Sequence, residues 1–313
     1  MTSQTIGFIG LGKMGGAMAL NLLNAAPGLI VADVMSDPVK RLTDAGAASA
    51  PHPRAIAEQC DMVLLCLPSA KEVRCVFDGE DGLLAGARDG LTVVDTTTLD
   101  RSEALAFADE LAERGVAYAD CPVSGAPFRA EAGTLTVMFG GTAEAFAKAR
   151  PLLDTFGQDV VHAGPIGAGQ AMKAINNIVY NVNIAAISEA LPLAMAVGLD
   201  PDVVAKVLTT ASGRSFASEY FIPRMIERRF DFDFTLNGAY KDVLNVQQMA
   251  VETRASTPVI NAMISSYQAA IAQGYGDQPK SAMLKVYEKA LGVEFKAHET
   301  SEVESGGNSG SAA

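Results

Sequence analysis

Lys173 and Asn177 stand four residues apart in Gly167-Ala168-Gly169-Gln170-Ala171-Met172-Lys173-Ala174-Ile175-Asn176-Asn177, a spacing that puts both side chains on one face of a helix. Most helical lysines are solvated, but this one sits among Ala171, Met172, Ala174 and Ile175 with no adjacent carboxylate. Desolvation lowers a lysine pKa from about 10.4 and a bound carboxylate raises it, so an amine in such a place can donate or accept a proton. A second segment, Asp120-Cys121-Pro122-Val123-Ser124-Gly125-Ala126-Pro127, comes after a strand-like run. Ser124 offers a hydroxyl and Gly125 an unobstructed N–H, together able to hold a carboxylate; taken alone, the segment reads first as an ordinary turn. Lys241-Asp242, taken alone, is a solvated pair.

The segment Gly10-Leu11-Gly12-Lys13-Met14-Gly15 joins a short apolar strand to a helix through G-x-G-x-x-G. Gly10 allows a tight turn, Gly12 removes a side chain where a pyrophosphate must approach, and Gly15 lets the helix pack close to the strand. The helix N-terminus then presents free N–H groups and a partial positive charge. A glycine-rich turn can also be purely structural, and the second strand discriminates between the two. That apolar run, Leu29–Ala32, ends at Asp33, about 20 residues beyond the glycines, where a carboxylate accepts hydrogen bonds from ribose hydroxyls. This favours NAD over NADP, because Val34, Met35 and Ser36 supply no cation for a 2′-phosphate; Lys40 and Arg41 are the first basic residues. The alternative is that Asp33 only caps the turn before Asp37-Pro38.

These residues need a sheet and a long helix to position them. Up to about residue 163, short apolar runs alternate with amphipathic stretches, the signature of a wound parallel sheet. Strands are predicted at 5–9, 29–32, 47–50, 62–67, 92–95, 116–119, 134–139 and 159–161, with helices at 15–23, 39–45, 54–58, 101–114 and 143–156. Past Gly164-Pro165-Ile166-Gly167 only helical periodicity remains. The run 170–197 would extend about 40 Å and can connect two domains. Further helices are predicted at 216–228, 239–253, 258–274 and 279–291, with Asp200-Pro201 opening another as N-cap and first residue. From His298 the chain is rich in Glu, Ser, Gly and Ala, a composition expected to be disordered.

Composition narrows the class. At 313 residues two domains are the natural expectation, and 49% hydrophobic residues supply a large core. A net charge of −12 argues against nucleic acid as a partner. Polar residues are expected to interrupt every apolar stretch short of membrane-spanning length, and no basic flank with a cleavable apolar segment opens the chain, so a cytoplasmic location and no membrane are expected. Cys60, Cys66, Cys75 and Cys121 form no C-x-x-C pair, which suggests neither a metal site nor a disulfide framework. Of the histidines His52, His162 and His298, His162 ends a strand-like run and reads as structural.

Taken together, the segments resemble the β-hydroxyacid dehydrogenase family from residue 5 to about 295. GFIGLGKMGGAMALNL is similar to the family's cofactor signature, DCPVSGA to its substrate segment DAPVSGG, GAGQAMKAINN to its catalytic segment and KDVLN to its KDL segment. Cys66-Leu67-Pro68 resembles the turn beneath the dinucleotide, and Val94-Asp95-Thr96-Thr97-Thr98 a strand end whose last hydroxyl approaches the nicotinamide ribose. The resemblance implies an α/β Rossmann-type dinucleotide-binding domain (1–164), then an all-α substrate and dimerisation domain (165–296) joined by a long interdomain helix, usually as homodimers or homotetramers.

The resemblance also implies hydride transfer between NAD and a small 3-hydroxyacid of the 3-hydroxyisobutyrate or tartronate semialdehyde type. Lys173 is implied as catalytic, and Ser124, Gly125, Asn177 and Lys241 as binding substrate. Gly10, Leu11, Gly12, Lys13, Met14, Gly15, Asp33, Leu67, Pro68, Thr98 and Lys241 are implied to bind the cofactor. Ala126, Cys121 and Arg101 depart from the usual glycine, alanine and proline, which touches substrate identity more than reaction type. An imine reductase and a non-catalytic dinucleotide-binding protein are the alternatives on this fold, and both lack the lysine. Arg214, paired with a second substrate carboxylate or simply solvated, stays open.

Overall fold

A computed structural model describes residues 4–231 and 234–297; His298 and the tail expected to be disordered lie outside the described residues. The chain divides into two compact units, Met1–Ile175 and Asn176–Ala313, and the division falls inside the long helix Ala168–Ala196.

The first unit is built on strands β1 (Ile6–Ile9), β2 (Ile30–Ala32), β3 (Ala48–Ser49), β4 (Met62–Leu65), β5 (Thr92–Asp95), β6 (Ala117–Asp120), β7 (Val123–Ser124), β8 (Leu135–Gly140) and β9 (Gly157–Gly164). The first six lie in the order β3-β2-β1-β4-β5-β6 with every neighbouring pair parallel. This is the strand order of a Rossmann sheet, whose ligand crevice lies beyond the carboxyl ends of its strands. Successive residues alternate between two cores, as the twofold strand period requires. Phe8, Leu64 and Val94 join Leu22 and Phe139 on one face, while Ile9, Val63, Leu65 and Val93 join Phe77 and Phe107 on the other. Both faces are therefore covered, which is why these strands read as continuous apolar runs.

Beyond β6 the sheet departs from the parallel arrangement that the alternation predicts. β8 runs antiparallel to both β6 and β7, whereas β9 is parallel to β8. Only the five-residue helix Pro127–Glu131 lies between β7 and β8, too short for the crossover that a parallel return requires. That helix, β7 and the helices Ala70–Phe77 and Leu83–Gly86 are additions to the predicted elements.

In the second unit the helices Pro201–Thr210, Phe216–Ile226, Leu236–Thr253, Pro258–Ala270 and Leu284–Leu291 come after the long one. Asp200 caps the first of them, its Oδ1 accepting the Val203 N–H at 2.9 Å, with Pro201 as first helical residue. The helix predicted to reach residue 274 leaves regular α-geometry at Ile271 for a π-turn, and the one predicted from 279 opens with a 3₁₀ turn, Lys280–Met283. Ile184, Leu191, Phe221, Met225, Leu284 and Phe295 form the core here.

Among the described residues one helix, Ala168–Ala196, is long and apolar enough to cross a membrane by length and composition. Asn176, Asn177, Asn181, Asn183 and Ser188 interrupt its apolar run, and it meets the length and composition criteria because Lys173 and Glu189 are its only charged residues. A helix whose apolar side chains enter a protein core, as Ile184 and Leu191 do, meets the same criteria.

Candidate active site

The glycine loop leaves β1 and opens the helix Lys13–Ala25, whose N-terminus has no side-chain cap at Gly12, while the Gly15 N–H is engaged by the Cys66 side chain. Gly10 has φ +94°, and a Cβ there would lie 2.3 Å from the Cys66 carbonyl oxygen. A Cβ on Gly15 would lie 2.0 Å from the Gly10 carbonyl oxygen, so the helix can approach the strand only as glycine. By contrast, a Cβ on Gly12 would meet nothing within 4 Å. Two glycines thus close the turn and the third keeps open space over the helix N-terminus, the arrangement a pyrophosphate needs. Lys13 is exposed, Met14 half-buried and Leu11 buried in the core.

Asp33 ends β2 with its carboxylate over this loop. Its Oδ2 accepts the Leu11 N–H at 2.5 Å and its Oδ1 the Met35 N–H at 2.8 Å. Each carboxylate oxygen retains a second lone pair, so the turn-capping and ribose-binding readings of Asp33 are compatible. Val34 and Met35 beyond it are exposed, and Lys40 is paired with Asp44 at 2.7 Å. At the ends of β4 and β5, the Leu67 N–H donates to the Thr97 Oγ1 at 3.0 Å, while Thr98 and Pro68 are exposed. These residues fit a dinucleotide lying along the carboxyl edge of the sheet.

Two buried carboxylates, Asp95 and Asp120, end the neighbouring strands β5 and β6 in register. Asp95 accepts the Thr97 N–H at 2.9 Å and the Tyr118 hydroxyl at 3.1 Å. Burial, with a smaller contribution from the Asp120 charge, pushes Asp95 up to about 6. The folded chain therefore holds this proton more tightly than the unfolded chain. The resulting stability is fully present below the ordinary carboxylate value near 3.8 and is lost as pH rises through about 6. Asp95→Asn keeps the shape and the Oδ1 acceptor and removes the desolvated charge. It is expected to raise stability by about 1–3 kcal/mol at pH 8 and by much less at pH 4. Urea unfolding of both proteins at the two pH values checks this; an equal effect at both would contradict it.

Ser124 lies in β7, half-buried, and Gly125 comes next at φ +141° with its backbone exposed. Cys121, whose thiol would alter the polarity of a site it faced, instead packs in the core beside the sheet, and burial raises its pKa well above the usual thiol value. Lys173 lies in the second turn of the helix Ala168–Ala196 and is half-buried. Its apolar neighbours differ from expectation: Met172 and Ile175 are each 46% exposed, on a helix stripe that exposed Val179 continues.

In the second unit Asn177 donates through Nδ2 to the Asp242 carboxylate at 2.9 Å. Asp242, read from sequence as one of a solvated pair, is thus a partner of a proposed substrate residue, and Lys241 beside it is exposed. The Asn177–Asp242 spacing of 65 residues gives no local signal. Arg214 is exposed and paired with Glu219 at 3.3 Å, which favours its solvated reading. The two described histidines have structural roles. His52 caps the helix Pro53–Ala57, accepting from the Ala55 N–H at 3.2 Å, and His162 stacks on Phe146 with ring centroids 4.9 Å apart.

The chain is similar to known dehydrogenases over most of its length. Residues 5–164 match the family profile for the NAD binding domain of 6-phosphogluconate dehydrogenase. Residues 167–287 match that described as the NAD-binding of NADP-dependent 3-hydroxyisobutyrate dehydrogenase. The 2-(hydroxymethyl)glutarate dehydrogenase of Eubacterium barkeri is 35% identical over 292 residues, covering 93% of this chain and 97% of the relative. The NAD-dependent L-serine dehydrogenase of Pseudomonas aeruginosa is 36% identical over 296 residues, covering 92% and 99%. Among solved structures, the Mycobacterium tuberculosis 3-hydroxyisobutyrate dehydrogenase with L-serine superposes with a TM-score of 0.80 at 29% identity, covering 91% of this chain and 99% of that one. With both profiles matched in series and two relatives aligned over nearly their whole length, the chain belongs to the β-hydroxyacid dehydrogenase family and is an NAD-binding oxidoreductase.

Proposed function

We propose that the protein catalyses reversible hydride transfer between NAD and the hydroxyl-bearing carbon of a small 3-hydroxyacid of the 3-hydroxyisobutyrate or tartronate semialdehyde type, with Lys173 as general acid and base. One observation carries the reading: the dinucleotide loop, the Ser124-Gly125 turn and the helical turn bearing Lys173 belong to one compact unit, at the carboxyl edge of its sheet. When bound, the nicotinamide takes or gives the hydride. In the oxidation direction the neutral Lys173 amine accepts the hydroxyl proton, and in reduction the ammonium returns it. Ser124 and Gly125 hold the substrate carboxylate, Asn177 orients the reacting hydroxyl, and Lys241 adds positive charge for substrate and cofactor. The segments Gly10–Gly15, Leu67-Pro68 and Thr98 hold the dinucleotide, and Asp33 binds the adenosine ribose.

On this reading residues 1–164 serve the cofactor and residues 165–296 serve substrate and self-association as a homodimer or homotetramer. Four free thiols suit a reducing compartment such as the cytoplasm. The retained lysine sets the reading apart from imine reduction and from a non-catalytic role.

The testing experiment is NAD reduction with a panel of 3-hydroxyisobutyrate, L-serine, 2-(hydroxymethyl)glutarate and glycerate, the last being the alcohol that corresponds to tartronate semialdehyde. At least one is expected to give kcat/KM above about 10⁴ M⁻¹s⁻¹. No NADH from any panel member, with NADH binding intact, would overturn the reading.

A further inference from the structure

Three segments that the proposed function uses are distant in sequence: the Thr97–Leu99 stretch around Thr98, the end of β6 leading to Ser124, and the first turn of the helix bearing Lys173. Within the first unit they meet at two buried side chains. The Asp120 carboxylate accepts the Gly167 N–H on Oδ1 at 2.6 Å and the Gln170 N–H on Oδ2 at 2.7 Å. The long helix is therefore capped by a carboxylate from the sheet, which complements its N-terminal partial charge. The Gln170 side chain extends the junction, its Nε2 donating to the Thr97 carbonyl at 2.7 Å and its Oε1 accepting the Leu99 N–H at 3.0 Å.

The niche leaves little room for these groups to shift. A Cβ on Gly140 would lie 2.4 Å from the Asp120 Oδ1, and one on Gly169 would lie 2.4 Å from the Met138 carbonyl oxygen and 2.8 Å from the Asp120 Oδ2. A helix pinned at Gly167 and Gln170 has a fixed rotation about its axis and a fixed depth against the sheet. Lys173 is the next residue along the face that starts at Gln170, so the direction of its side chain is set by the pinning.

We propose that Asp120 and Gln170 are positioning residues for Lys173, clamping the first helical turn so that its amine meets the substrate oxygen. The inference rests on the assignment of Lys173 as acid and base. It adds that the carboxylate opening the substrate segment acts on turnover through the lysine, and that the Gln170 side chain ties the same turn to the Thr98 segment.

The test is a double-mutant cycle on the full chain. The substrate is whichever of 3-hydroxyisobutyrate, L-serine and 2-(hydroxymethyl)glutarate is turned over fastest. Asp120→Asn keeps the volume but presents an amide donor where a backbone N–H must be accepted; Gln170→Leu removes both side-chain hydrogen bonds and serves as the second variant where the first does not fold. Each is expected to lower kcat about 10- to 100-fold, the scale of a misplacement near 1 Å, with the NADH Kd changed by no more than about 2-fold. In a Lys173→Ala background neither is expected to lower kcat by more than about 2-fold further, because the group through which both act is gone. Hydrogen exchange at the Gly167 and Gln170 amides is expected to be faster in Asp120→Asn. Losses that add fully to that of Lys173→Ala, or unchanged exchange at those amides, would overturn the inference. Wild-type turnover by Lys173→Ala itself would instead remove the acid–base assignment, a result the cycle separates from the first two.

Discussion

Replacing Lys173 by alanine is expected to lower kcat by about 10²-fold or more, the scale of a general acid–base group, while NADH binds with a Kd within about 2-fold of the parent. The split reflects the proposed roles: the amine handles the proton of the reacting hydroxyl, whereas the dinucleotide is held by the loop at Gly10–Gly15 and by Asp33. A loss of kcat and kcat/KM in equal proportion identifies an interaction made in the transition state, and a rise in KM alone would identify a binding group. The half-buried setting of Lys173 matters here. Its sequence neighbours suggest desolvation on an apolar face, yet Met172 and Ile175 are exposed. What distinguishes this lysine is its place in the second turn of a helix whose start is fixed to the carboxyl ends of β5 and β6. Stopped-flow kinetics of NADH formation and fluorescence titration with NADH measure the two quantities separately.

The second large effect is cofactor choice. NAD is expected to be preferred over NADP by about 10²-fold or more in kcat/KM, because a 2′-phosphate beside the Asp33 carboxylate sets like charges together at a cost of several kcal/mol. Exposed Val34 and Met35 offer no cation, and Lys40 is engaged with Asp44. Asp33→Asn isolates the charge. It retains an acceptor for the Leu11 N–H that shapes the loop and removes the repulsion, so the preference is expected to narrow about 10-fold or more, mainly through a lower KM for NADP. A parent enzyme that favours NADP, or a variant with unchanged preference, would contradict the role given to Asp33.

Legibility in the sequence depended on the distance between partners. The glycine loop, Asp33 and the apolar strands can be read because each is a local pattern: a turn that needs glycine, a strand that ends, a run buried on both faces. The helix Ala70–Phe77 carries its own signature in Ser69 and Glu72, whose side chains hydrogen-bond at 2.5 Å, a spacing typical of a helix start. β7 cannot be read, because two residues hold no alternation and Val123–Ser124 becomes a strand only by pairing with β8. The site's supporting residues are hidden for the same reason. Asp120 meets its amide partners 47 and 50 residues on, and Gln170 reaches back 71 and 73. Such contacts leave no periodicity to read, and only the fold reveals that a turn-like Asp and a Gln without a motif of its own hold the helix that bears Lys173.

The central claim is that the Lys173 amine exchanges a proton with the oxygen on the carbon that gains or loses hydride. Its most direct test is a crystal structure of the full chain in a dead-end complex with NADH and the best hydroxyacid of the panel. The expected result is the Lys173 Nζ within about 2.7–3.2 Å of the hydroxyl oxygen, on the side opposite the substrate carboxylate held at Ser124 and Gly125. A complex in which that oxygen is bonded to another group, with the Lys173 Nζ in bulk water, would contradict the account.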